Sequence, residues 1–245
     1  MEKSDKKEKS GAGDGMAKDI GILVVITLAA GMLLGAAYSI TRDPIAQAQA
    51  RATEAAQRIV MPEAASFTAM GDGTAAGSEG NGDAAENSDK TESAGSAFLA
   101  EVNRALGEKG LTGTTVEQMD LALDAAGEKL GYVVTCTNAE GYGGDVELMC
   151  GITASEDGTL TINGISFLTL TETAGMGMRA KEGGFTDQFA GKEIPAGELL
   201  AYNKNGASAE NEIDAISGCT ITTGAVTKDV SAALEAVRAA EWSGL

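Results

Sequence analysis

Histidine is absent from all 245 residues. The commonest general base and metal ligand is missing with it. Ser-His-Asp and Cys-His catalysis are therefore excluded, as are histidine-based zinc and iron sites. Basic residues are also scarce: 18 Lys and Arg stand against 36 Asp and Glu, for a formal net charge of −18. That balance argues against nucleic acid as a partner, because its phosphates would be repelled. Only three cysteines occur, Cys136, Cys150 and Cys219. Any redox chemistry must come from a bound cofactor or from these thiols, and neither a catalytic side chain nor a metal site is expected. The length allows one or two domains.

Two stretches lack something locally. Between Ile20 and Thr41 there is no charged residue, and roughly 20 apolar residues suffice for a helix to cross a bilayer. A transmembrane helix over residues 20–41 is expected, in contact with membrane lipid. Gly31 and Gly35 form a G-x-x-x-G pair that permits close helix contact there. A cleaved signal peptide is the alternative, but its apolar core would be shorter. No cysteine follows the apolar core to carry a lipid. Lysines dominate the basic side chains of residues 1–19 and an acidic chain follows the span, which predicts a cytoplasmic N-terminal tail and an extracytoplasmic remainder. The second stretch, residues 71–97, has no aliphatic side chain larger than alanine and only Lys90 as a basic residue. It cannot bury enough surface to offset its ordering entropy, so a disordered acidic insertion over residues 68–97 is expected.

Around these gaps the chain reads as ordered structure. Pro44 suits a first helical turn and Pro62 a helix end, so residues 44–60 are expected as a juxtamembrane helix within a segment over 42–67. Phe98, Leu99, Val102 and Leu106 have helical spacing, and Leu121 and Leu123 are assigned to a short element before the main sheet. Leu130–Thr137, Val146–Ile152 and Leu160–Leu168 read as strands, with a glycine turn at Gly141–Gly144 and a hairpin at Asp157-Gly158. Val226, Val230, Leu234 and Val237 mark a closing helix. Strands followed by a terminal helix imply an α+β fold, an antiparallel sheet with flanking helices, over residues 98–245. A turn centred near Gly141 sets Cys136 opposite about Glu147. Cys136 and Cys150 are then offset by some three residues, poor geometry for a disulfide, and two buried thiols are the alternative.

The stretch most suggestive of chemistry is Asp214-Ala215-Ile216-Ser217-Gly218-Cys219-Thr220. It places Thr220 in the last loop before a helix N-terminus, where unpaired N–H groups and the positive dipole end favour phosphate. One reading is a capped helix, with Ser217, Thr220 or Thr222 as the cap. The other is a threonine that carries a phosphate ester.

This stretch resembles the flavinylation motif, near D-x-x-S/T-G-A-T, of the FMN-binding domain in the G subunit of the Rnf electron transport complex. The C subunit of the Na⁺-translocating NADH:quinone reductase (Nqr) shares that domain. Cys219 stands where the family has alanine. A second piece, Leu170-Thr171-Glu172-Thr173-Ala174-Gly175-Met176-Gly177, is similar to the family's H-x-E-T-P-G-L-G and keeps Glu172, Thr173, Gly175 and Gly177. Gly141-Tyr142-Gly143-Gly144 and Phe185–Lys192 extend the likeness, and residues 41–67 resemble the juxtamembrane helix of the Rnf G subunit.

The resemblance implies a phosphoprotein in one particular sense: FMN joined covalently to Thr220 by a phosphodiester. A separate Mg²⁺-dependent flavin transferase would install it from FAD, and Asp214, Ser217 and Gly218 would be needed for that recognition. Glu172, Thr173, Gly175, Met176 and Gly177 are implied as cofactor-binding positions, with Met176 a flexible apolar plate against the flavin. The function implied is that of a membrane-anchored electron carrier, partnered by the other membrane subunits of a ferredoxin:NAD⁺ oxidoreductase that exports Na⁺ or H⁺, without turnover of its own. An extracellular flavin shuttle and a protein like the Nqr C subunit are the alternatives.

Overall fold

The computed structural model describes residues 11–70 and 88–242; the expectations for residues 1–10 and 71–87 lie outside them. The chain divides into two compact units, residues 1–49 and 50–245.

The described part of the first unit, from Gly11 onward, is helical. Helix α1 runs without interruption over Gly11–Val60, with Pro44 inside it. The separate helix expected to start at Pro44 is thus a continuation. A proline inside a helix removes one backbone bond, and the alanine-rich run after it is helix-forming enough to carry the helix on. Ile22, Leu23, Val24 and Val25 are all exposed, and consecutive positions sit about 100° apart, so this turn of the helix is apolar on every side. Among the described residues no helix is long and apolar enough to cross a membrane. The described side chains run consecutively from Ile20 to Ala36, and the uncharged run of the sequence continues to Thr41.

The second unit is built on an antiparallel sheet of six strands in sequential order. They are β1 (Ser66–Ala69), β2 (Thr114–Leu123), β3 (Lys129–Asn138), β4 (Val146–Ala154), β5 (Leu160–Leu170) and β6 (Lys192–Ile194). On one face lie α2 (Ser88–Glu108) and α4 (Thr220–Trp242). They bury Leu99, Val102, Leu106, Val226, Val230, Leu234 and Val237 against Val134, Leu148, Ile152 and Ile162. The four regularly spaced apolar side chains of α4 are fully buried, and each stabilises the fold by about 1.5–3 kcal/mol. On the other face Ala56, Val60 and Met61, at the end of α1, pack on Ala122, Val133 and Met149. A glycine makes that contact possible. A Cβ on Gly151 would stand 2.2 Å from the carbonyl oxygen of Val60, so any side chain would push the helix end off the sheet. A short helix, α3 (Gly183–Thr186), lies between β5 and β6. A two-stranded parallel ribbon, β7 (Ala201–Asn203) with β8 (Glu212–Asp214), precedes α4.

Three expectations are corrected here. Residues 66–69 form β1, not the tail of a helix or the start of an insertion. Residues 88–97 form the first turns of α2. They have little to bury, but a helix nucleated by the packed stretch Phe98–Leu106 propagates backward at one hydrogen bond per residue. Leu121 and Leu123 belong to β2, a full strand of the main sheet. A register shift between Val116 and Gln118 breaks its alternation, and Asp120, 2 % exposed, interrupts its apolar face. Asp120 is accommodated by the side-chain amides of Gln57 and Gln118, which donate to its carboxylate at 3.0 and 2.8 Å.

Cys136 stands opposite Leu148, and Cys150 opposite Val134. The two cysteines are therefore buried, free thiols, and burial pushes both of them up from the usual thiol range. Beneath α4, Asn138 Nδ2 donates to Thr114 Oγ1 at 2.6 Å. Asp229 is fully buried, and neither of its carboxylate oxygens has a hydrogen-bond partner. Burial raises its carboxyl to about 8; the charge of Glu117 adds to this, and the nearby Thr114 hydroxyl, outside hydrogen-bonding geometry, opposes it.

Candidate functional site

Three segments far apart in sequence meet at one cleft of about 340 Å³. The glycine turn between β3 and β4 brings Tyr142. The loop after β5 brings Glu172, Thr173, Met176 and Gly177. The start of α4 brings Gly218, Cys219, Thr220, Ile221 and Thr222. The size lies at the low end of the range for small-molecule sites.

Two turns of one kind shape the cleft. Cys219 N–H donates to the Ile216 carbonyl at 2.9 Å, with Gly218 at φ +79 in the third position. Met176 N–H donates to the Thr173 carbonyl at 3.1 Å, with Gly175 at φ +74. This is the type II pattern, which requires a positive φ at its third residue. It explains the Ser217-Gly218 and Ala174-Gly175 pairs. Ala174 holds the position where proline is favoured but not required.

Thr220 is the first residue of α4 rather than the last of a loop. Thr223 N–H donates to the Cys219 carbonyl at 3.0 Å, so the helical ladder begins there. The N–H groups of Thr220, Ile221 and Thr222 precede it and have no intrahelical carbonyl. The expected capping roles differ as well. Thr223 Oγ1 donates to the Cys219 carbonyl at 2.9 Å and accepts from Ile216 N–H at 3.1 Å, fastening the turn to the helix. Thr222 Oγ1 donates instead to Glu172 Oε1 at 3.0 Å.

Of the residues singled out in sequence, Glu172, Thr173, Met176, Gly177, Gly218 and Thr220 line the cleft, and Gly175 forms the adjoining turn. Asp214 and Ser217 are exposed outside the lining. Asp214 ends β8. Its N–H donates to Gln188 Oε1 at 2.6 Å, and its carboxylate accepts from Ala207 N–H, so it closes the loop ahead of the motif. Tyr142, Cys219, Ile221 and Thr222 were not singled out as cofactor-binding, although Tyr142 lies in the glycine turn noted in sequence. Tyr142, Met176 and Ile221 are 70 %, 49 % and 54 % exposed, which makes the rim unusually apolar for surface residues. Among the described residues no group of three or more Cys, Asp or Glu is placed to hold a metal ion.

Residues 141–235 match the FMN-binding domain. The chain is 39% identical over 109 residues to the G subunit of the Na(+)-translocating ferredoxin:NAD(+) oxidoreductase complex of Acetobacterium woodii, covering 44% of this chain and 50% of that one. It is 28% identical over 238 residues to the G subunit of the ion-translocating oxidoreductase complex of Methanosarcina acetivorans, covering 97% of this chain and 99% of that one. The match thus spans half the length of the Acetobacterium relative and nearly all of the Methanosarcina one. Among solved structures, the C subunit of the Na(+)-translocating NADH-quinone reductase of Parabacteroides distasonis is 26% identical, covers 55% of this chain and 64% of that one, and superposes with a TM-score of 0.39. The resemblance carried by Glu172–Gly177 and Asp214–Thr220 is thereby shown: the chain carries the FMN-binding domain, and its relatives are the G subunits of ion-translocating oxidoreductases.

Proposed function

We propose that this protein is the membrane-anchored flavoprotein subunit of an Rnf-type ion-translocating electron transport complex, with FMN held through a phosphodiester on Thr220. The observation that carries this reading is the convergence of three motif segments on a cleft in which Thr220 opens a long helix. The residues present fit the group. The free N–H groups of Thr220, Ile221 and Thr222 and the positive end of α4 suit a phosphate ester on the Thr220 oxygen. Tyr142, Met176 and Ile221 offer an exposed apolar rim for a planar ring. The two glycine turns bring backbone close without side chains in the way. Bound there, FMN supplies electron transfer; the protein supplies attachment, orientation and electrostatics.

The wider setting follows from the same reading. Residues 20–41 form a membrane anchor, supported by the absence of charge in that run and by exposed apolar side chains all round the helix at Ile22–Val25. The lysine-rich start stays in the cytoplasm, and the flavin domain lies on the outer side. The other membrane subunits of the complex are the electron partners, and a flavin transferase acts during maturation. Cys219 packs into the turn as a small buried side chain and has no part in attachment.

Denaturing-gel flavin fluorescence of full-length protein co-expressed with a transferase tests the site. Wild type and Cys219→Ala should fluoresce. Thr220→Val keeps the shape but removes the oxygen, and should be dark while remaining folded. Fluorescence retained in Thr220→Val would move the attachment elsewhere.

A further inference from the structure

We propose that Glu172 is a positioning residue, a latch whose carboxylate ties the glycine turn at Tyr142 to the first turn of α4 at Thr222 and so assembles the cleft around Thr220. Its Oε1 accepts the Tyr142 N–H at 2.9 Å and the Thr222 hydroxyl at 3.0 Å. The two donors lie 30 and 50 residues away in sequence, on the two other segments that line the cleft. One carboxylate oxygen thus spans all three segments of the site.

The other side of Glu172 is equally constrained. A Cβ on Gly177 would stand 2.6 Å from Oε2 and 2.8 Å from the carboxyl carbon, so Glu172 lies directly against the Gly177 backbone and only glycine leaves it room. The glycine turn is pressed on the same segment, since a Cβ on Gly143 would stand 2.3 Å from the Thr171 carbonyl oxygen. With Oε1 engaged by two donors and Oε2 packed on Gly177, the carboxylate is committed to protein contacts where it lines the cleft. Its use is to hold Tyr142 and the start of α4 in register, not to touch a ligand.

The role requires two acceptor lone pairs on one oxygen, which the amide oxygen of glutamine also supplies. It does not require the negative charge. This separates a latch from a charge that acts on a bound group, and it makes Glu172→Gln the informative substitution. The latch stands on the hydrogen bonds alone, while its consequence for flavin attachment rests on the proposed role of Thr220.

The experiment uses full-length protein in detergent, prepared without a transferase, and follows amide hydrogen exchange at Tyr142. Glu172→Ala should speed exchange there by about tenfold or more, the loss expected when a holding contact is removed. Glu172→Gln should stay within about threefold of wild type. A second arm adds transferase and FAD and follows covalent attachment. Glu172→Ala should load at least about tenfold more slowly than wild type, and Glu172→Gln should restore most of the rate. Unchanged Tyr142 exchange in Glu172→Ala would overturn the latch. So would a Glu172→Gln protein that exchanges and loads as badly as Glu172→Ala, because that would assign the effect to charge. A wild type that takes no flavin at Thr220 would refute the attachment site, and the exchange arm would still decide the latch.

Discussion

Asp229 offers a quantitative test of the packing beneath α4. Its carboxyl is fully buried without a hydrogen-bond partner and is raised to about 8, against about 3.9 in an unfolded chain. Between those values the unfolded chain has released this proton and the folded one has kept it. Its contribution to stability is therefore greatest at and below about pH 4, falls as pH rises through the window, and levels off above about pH 8. At about 1.4 kcal/mol for each pH unit between about 3.9 and about 8, the ceiling on the loss is about 6 kcal/mol. Asp229→Asn keeps the shape and cannot ionise. Urea unfolding of full-length protein in detergent, at several pH values from about 5 to about 9, isolates the effect as the difference between variant and wild type. The variant should gain progressively on wild type as pH rises, by several kcal/mol at about pH 8, and the gap should then stay constant. A difference that does not change with pH would refute the account of Asp229 as a carboxyl kept neutral by burial.

Gly151→Ala should destabilise the fold by about 1–3 kcal/mol, because its Cβ would meet the Val60 carbonyl at 2.2 Å; an unchanged thermal midpoint would refute the close contact. Gly177→Ala crowds Glu172 and should cut flavin loading with little change in unfolding midpoint; full loading would show that Glu172 has room to move. Protease added outside right-side-out vesicles should remove the flavin domain, and full protection would reverse the proposed topology. Replacing residues 72–86 with a short Gly/Ser linker should leave stability and flavin content unchanged, since that run has no aliphatic side chain larger than alanine; a large fall in the thermal midpoint would contradict this.

The parts of the fold that were legible in the sequence are those with strong periodicity. The α4 spacing of Val226, Val230, Leu234 and Val237, the β3 and β4 runs and the Asp157-Gly158 turn all correspond to elements of the structure. Strand β2 was obscured because a register shift after Val116 and the buried Asp120 break its alternation. Helix α1 hid behind Pro44, whose usual meaning is a boundary, and the polar start of α2 depends on packing further along the helix. The Cys136 register missed by one residue, since Leu148 rather than Glu147 stands opposite it. In the site, the turn glycines and Thr220 were visible as local motifs. The hydrogen bond from Thr222 to Glu172 was not, because it joins residues 50 positions apart and is made only once the sheet brings the two loops together. Thr222 read as a cap for the same reason: a hydroxyl near a helix start is ordinarily a cap until a tertiary partner claims it.

The central claim is that Thr220 carries the flavin. The measurement that tests it most directly is the intact mass of the protein isolated from cells that make its transferase, followed by peptide mapping of residues 215–228 under denaturing conditions. The account predicts an added mass of one FMN less one water, confined to the peptide that contains Thr220 and absent from Thr220→Val. An unmodified mass, or the same addition on another residue, would contradict it.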